Sequence, residues 1–225
     1  MGDGARARFP LVCSIALSLS GLSGTSLIRA AAPNPNAQLW SEADGIVKIA
    51  PGVDVTGAAY ARAAEGFPTP ALVAASLAVD FTIHGTVLTA GNLEARIRST
   101  SGASTNVNLP FISITFPVPV GSVLLSDRSR LERIDGLPGS PFRYRNRPTA
   151  ELPIPSGGAF SAVELSDEVF YDDSRHRWTR NRAQVSTVWK VGRQSELLVY
   201  LLDQHDVIAS PHDLHVIGLT LRVKV

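Results

Sequence analysis

Phe142-Arg143-Tyr144-Arg145-Asn146-Arg147 sets three arginines at every second position, with aromatic or amide side chains between them. Residues two apart on a β-strand point to one face, so this stretch predicts a strand with one cationic face and one largely uncharged face. The phasing recurs along the chain. Arg128, Arg130 and Glu132 alternate upstream, Glu151 continues the phase of Arg147, Glu164 and Glu168 alternate downstream, and Arg180 and Arg182 follow. The opposite phase carries Val163, Leu165, Val169 and Tyr171, then Ala183, Val185 and Trp189, which is mostly apolar. A charged stripe cannot face lipid. A soluble protein buries the apolar face and wets the charges, whereas a membrane barrel turns apolar residues outward and polar ones into the lumen.

The amino terminus bears on that choice. Arg6 and Arg8 precede an apolar stretch from Phe9 to about Leu22, and small residues close the segment at Ala30, Ala31 and Ala32. This pattern predicts a secretory signal peptide over residues 1–32, leaving residues 33–225 as a single domain. The apolar stretch is shorter than the roughly 20 residues of a spanning helix. Cys13, the sole cysteine, falls inside the signal segment, so an exported chain would carry neither disulfides nor thiol chemistry. A formal net charge of +1 argues against nucleic acid as a partner. Only Lys48, Lys190 and Lys224 among the 21 basic residues are lysine, and the planar fork of arginine is the better partner for a carboxylate.

Period-two alternation continues beyond the signal segment, broken by glycine, proline, serine and aspartate clusters. Eleven strands are expected near residues 39–49, 53–63, 71–83, 87–98, 105–116, 123–133, 142–152, 160–171, 178–190, 194–204 and 214–225. Most exceed the roughly 5 to 6 residues usual in soluble sheets and suit tilted strands that cross a bilayer. Short breaks fall at Pro51-Gly52, His84-Gly85, Pro119 to Gly121 and Val191-Gly192. Longer ones run from Glu65 to Pro70, Ser99 to Ser104, Asp135 to Pro141, Asp172 to His176 and Asp206 to Asp213. The reading is an all-β, antiparallel transmembrane β-barrel of about 10–12 strands with short periplasmic turns and longer outer loops. Because bacterial single-chain barrels have even strand counts, eleven is expected to be one off, with Trp40 placed either in the wall or inside the lumen.

Several stretches, in order, resemble one family. They are Gln38-Leu39-Trp40-Ser41-Glu42, Leu125 to Glu132 as L-S-D-R-S-R-L-E, Phe142 to Arg147, Leu165 to Asp172 as L-S-D-E-V-F-Y-D, Arg180-Asn181-Arg182, and His215-Val216-Ile217-Gly218-Leu219. Together they resemble the family catalogued as domain of unknown function 2490, outer-membrane β-barrel proteins of Gram-negative bacteria. The resemblance runs from Gln38 to Val225, with Glu65 to Ala78 departing from it. It implies a location and a fold, and brings no substrate or catalytic residue.

The charged set on the inner face, Arg128, Arg130, Glu132, Arg143, Arg145, Arg147, Glu151, Glu164, Glu168, Arg180 and Arg182, has two uses. Arginine–glutamate pairs can brace the lumen, and the excess of arginine can line a narrow channel that favours small anionic solutes. The expected partners are outer-membrane lipid, the barrel-assembly machinery and such a solute; no cofactor or metal is expected. His205, His212 and His215 with Asp203, Asp206 and Asp213 match no established metal spacing. A soluble periplasmic lipocalin-like binding barrel, with its apolar faces inward, is the alternative. A lipid-modifying enzyme is the less favoured reading. Ser166 with His176 is the pair to consider, but Ser166 shares the inward phase of Glu164 and no nucleophile elbow is present.

Overall fold

The computed structural model describes residues 36–64, 71–99, 101–136, 142–155, 158–208 and 212–225; the segment read as a signal peptide, with Cys13, lies outside the described residues. Eleven strands follow in chain order: β1 (Ala37–Ala50), β2 (Val53–Ala64), β3 (Leu72–Ile83), β4 (Thr86–Arg98), β5 (Ser104–Val120), β6 (Val123–Arg133), β7 (Phe142–Pro153), β8 (Phe160–Asp172), β9 (Arg177–Lys190), β10 (Ser195–Asp206) and β11 (Asp213–Lys224). They close into one barrel in which each strand pairs with its chain neighbours and β1 pairs with β11. Closure gives every strand two partners and leaves no exposed sheet edge.

Strand parity departs from expectation. Successive hairpins reverse direction, so the first and eleventh strands run the same way, and β1 pairs with β11 in parallel from Ala37↔His215 to Ile46↔Lys224. All other pairs are antiparallel, and an odd count is thereby accommodated without a missing strand. Trp40 belongs to a wall strand, with only its side chain turned into the lumen.

β5 also departs. It runs through Pro117 and Pro119 to Val120, where a turn had been expected from Pro119. Both prolines pair with β6, as Pro117↔Ser126 and Pro119↔Leu124, beyond the point where β4 stops pairing at Thr115↔Val87. Proline lacks a backbone N–H, so it is tolerated where a strand has a ladder on one side only.

The alternation sorts the faces as the arginine phase requires. Leu77, Ile112, Leu201 and Ile217 point outward and are each more than half exposed, whereas Glu132, Phe170 and Val216 on the opposite phase are 1%, 2% and 2% exposed. The inverted arrangement, with apolar faces inward and arginines in solvent, does not form. The outer face is less uniformly apolar than its sequence phase suggests. Asn146 Nδ2 donates to Asp127 at 2.7 Å, Asn181 Nδ2 to Asp167 at 2.7 Å, and His215 lies 2.8 Å from Asp203. These outward acids each find a partner on the adjacent strand.

Two glycines let rings lie flat on the inner wall. A Cβ on Gly91 would come within 2.6 Å of the Phe111 ring, and one on Gly218 would overlap the ring of Tyr200. The space left beside each glycine is filled by an aromatic face, which narrows the lumen there.

Candidate functional site

Strands β6 to β9 carry the predicted inward phase, and adjacent columns meet as register dictates: Arg130↔Arg145, Glu132↔Arg143, Glu168↔Arg182 and Phe170↔Arg180. Like charges directly opposite each other repel, so the carboxylates decide the arrangement. Glu132 Oε2 accepts two hydrogen bonds from Arg143, at 2.5 and 2.8 Å, and Oε1 accepts one from Arg145 Nη1 at 2.7 Å. Arg130 Nε stands 2.8 Å from the same Oε1 without hydrogen-bond alignment, so that contact is ionic. Glu168 Oε1 accepts from Arg128 Nη2 at 3.0 Å and from Arg145 Nη2 at 2.7 Å, with Arg182 at 3.7 Å from Oε2. Arg145 therefore bridges the two glutamates, and two carboxylates serve five guanidiniums. Charge-assisted bonds shared in this way among several guanidiniums hold buried charge that would otherwise be costly.

The remaining members of the predicted set lie at the margins. Arg147 reaches Glu164 at 3.4 Å, and Arg180 donates to Asp206 Oδ2 from Nη2 and, at 2.7 Å, from Nε. Glu151 faces Glu164 across the β7–β8 pair and does not line the cavity.

Aromatic rings supply further partners. Phe170 lies beneath Arg182, Arg145, Arg180 and Arg143, at 4.7, 4.8, 5.4 and 5.5 Å from its centroid. Arg130 stacks 3.5 Å over Phe111, the ring seated on Gly91, and Trp40 receives Arg62 at 3.8 Å and Arg182 at 5.1 Å. A guanidinium over a ring contributes on the order of 0.5 to 2 kcal/mol, rising as water is excluded.

These groups surround a cavity of about 500 Å³, lined by nine arginines against five carboxylates. Volumes of roughly 300 to 1,000 Å³ are usual for sites that take small molecules. Sequence reading missed Arg62, Glu42, Asp44 and Arg222 as lining groups, although each obeys the period-two rule on β1, β2 or β11, and it left Trp40 between wall and lumen. Arg62 stands alone among alanines, and the pairs Glu42 with Asp44 and Arg222 with Lys224 are short beside the longer arginine stripes of β6 to β9. Asp206, read with the loop histidines, is the inward partner of Arg180.

The histidines do not converge. His205 pairs with Asp213 at 2.7 Å and His215 with Asp203, while His212 Nδ1 lies 2.9 Å from the Asp206 carbonyl oxygen. Among the described residues no group of three His, Cys, Asp or Glu is placed to hold a metal. Ser166 lines the lumen on β8, and His176 sits in a left-handed conformation after the 3-10 turn Asp173–Arg175 that joins β8 to β9.

Fold and site together define a closed, eleven-stranded β-barrel with an arginine-rich interior. Residues 37–214 match the model of the family described as Protein of unknown function (DUF2490), and the chain belongs to that family. No curated protein matches the chain. Among solved structures, the anion-selective porin from Comamonas acidovorans is similar at 12% identity and a TM-score of 0.39, over 79% of this chain and 54% of the porin.

Proposed function

We propose that this protein is an outer-membrane barrel that forms a narrow channel favouring small anionic solutes. The observation that carries the reading is the cavity lining, in which, among the described residues, nine arginines stand against five carboxylates, with Asp206 a sixth behind Arg180. An inner wall with excess positive charge concentrates anions and repels cations, as charged rings do in channels. Membrane placement is supported by strands of 11 to 17 residues, by the outward aliphatic face and by the amino-terminal export pattern. Roughly eight-stranded barrels are filled by side chains and 16- to 18-stranded ones hold water, so eleven strands suit a constricted lumen. The role is passive, with lipid outside and a solute within.

A second reading, a closed structural barrel of the envelope, draws on the glutamate-centred ladder and on the rings of Phe170 and Tyr200, which brace and narrow the same lumen. One recording separates the two. In a planar bilayer under a KCl gradient, the channel reading expects unitary currents with a reversal potential on the chloride side, moved toward zero by Arg62→Gln with Arg182→Gln. Currents that favour potassium, or that ignore those changes, reject anion preference. Silence in repeated insertions rejects the channel.

A further inference from the structure

An apolar wall inside this charged lumen has no use in a channel for small hydrated anions. Ala95, Val107 and Leu109 form a buried cluster with Leu93, Ile97 and Ile134 packed against it, and all six side chains line the cavity from β4, β5 and the residue that follows β6. Leu93, Ile97 and Ile134 are only partly buried, and the apolar surface they leave toward the cavity is unfavourable in water and becomes favourable when an apolar body covers it. The wall adjoins positive charge. Leu72, also lining the cavity, is the register partner of Ile97 on one side and of Arg62 on the other.

Arg62 and Arg182 are the two inward arginines stacked on the Trp40 ring, and neither has a carboxylate within hydrogen-bond distance among the described residues. Arg62 stacks on Trp40, and among the described residues no ion pair reaches it. Arg182, over the same indole, donates Nε to the neutral Gln204 carbonyl at 2.7 Å and stands 3.7 Å from Glu168, which already serves Arg128 and Arg145. Two under-neutralised guanidiniums thus share one ring beside an apolar wall, within a cavity of about 500 Å³.

We propose that the lumen binds an amphiphilic carboxylate, its headgroup at Arg62 and Arg182 and its hydrocarbon or aromatic body on the wall formed by β4 and β5. The inference rests on the anion-favouring reading of the same lumen. A guanidinium can hold a carboxylate through two parallel hydrogen bonds, whereas a cationic headgroup at the Trp40 ring would meet the positive charges of Arg62 and Arg182. The apolar wall then selects for the body, which a small inorganic anion lacks.

The full chain carrying Trp178→Phe and Trp189→Phe leaves Trp40 as the sole tryptophan and a reporter of the Arg62 site. In lipid nanodiscs it is titrated with decanoate, acetate and decyltrimethylammonium, which separate headgroup, body and charge sign. Decanoate alone is expected to give a saturable fluorescence change. Arg62→Gln and Val107→Asp are each expected to weaken it about tenfold or more, with Arg62→Lys retaining part of the affinity. No saturation with decanoate, equal saturation with acetate or with the cation, or indifference to Arg62→Gln in protein that keeps its folded gel mobility overturns the proposal. The ligand comparison on unsubstituted lumen residues decides alone if a variant does not fold. Anion-selective current without decanoate saturation sinks this inference and leaves the channel standing, whereas saturation without current does the reverse.

Discussion

Glu132→Gln keeps the shape of a side chain that is 1% exposed and removes the charge shared by three arginines. Arg143 and Arg130 then have no carboxylate within 4 Å among the described residues, while Arg145 keeps Glu168 at 2.7 Å. Breaking a buried ion pair by removing one partner costs about 3 to 5 kcal/mol, because the other charge stays buried and unpaired. Water in the cavity moderates that figure, and the shared carboxylate enlarges it, so a loss of about 3 kcal/mol is expected. Reversible urea unfolding in phosphatidylcholine vesicles, followed by tryptophan fluorescence, reads it as a lowered midpoint at unchanged slope. Arg143→Gln should cost less in the Glu132→Gln background than alone, with a coupling on the order of 0.5 to 3 kcal/mol. A loss below about 1 kcal/mol, or strict additivity of the two changes, would refute the claim that Glu132 organises the ladder.

Other outcomes follow from the wall. Gly218→Ala places a methyl group into the Tyr200 ring and should cost about 1 to 3 kcal/mol, with Tyr200→Leu in the same chain recovering part of the loss; urea midpoints in vesicles measure both. Leu201→Arg, on the outward face of β10, should cost about 2 to 4 kcal/mol in a bilayer, whereas an ordinary water-exposed position would change by no more than about 0.5 kcal/mol.

Much of this architecture is legible in the sequence because a barrel wall depends on a local rule. Period two fixes which of Arg143 and Tyr144 points inward, and turn dipeptides such as Pro51-Gly52 and His84-Gly85 mark where strands reverse, with positive φ at Gly52 and Gly85. What escapes is non-local. The contact of Arg182 on β9 with Trp40 on β1 depends on barrel closure, which no neighbouring residue encodes. The parallel β1–β11 seam likewise follows from strand parity, and the even-count rule of bacterial barrels pointed away from it. Arg62 is missed for a different reason, since a single inward arginine in an alanine-rich strand does not make a visible stripe. The extension of β5 was hidden by prolines, which read as turn signals until the one-sided ladder explains them.

A membrane barrel holds lipid against its outward face while the arginines stay within. In a Cys13→Ser chain, single cysteines at Leu201, Ile112 and Ser101 are labelled with an environment-sensitive fluorophore and reconstituted in vesicles of brominated phosphatidylcholine. Ser101, in the β4–β5 loop, serves as the water-exposed reference. The account predicts strong quenching at Leu201 and Ile112 and little at Ser101. Equal, weak quenching at all three, with the protein recovered in the soluble fraction, would contradict it.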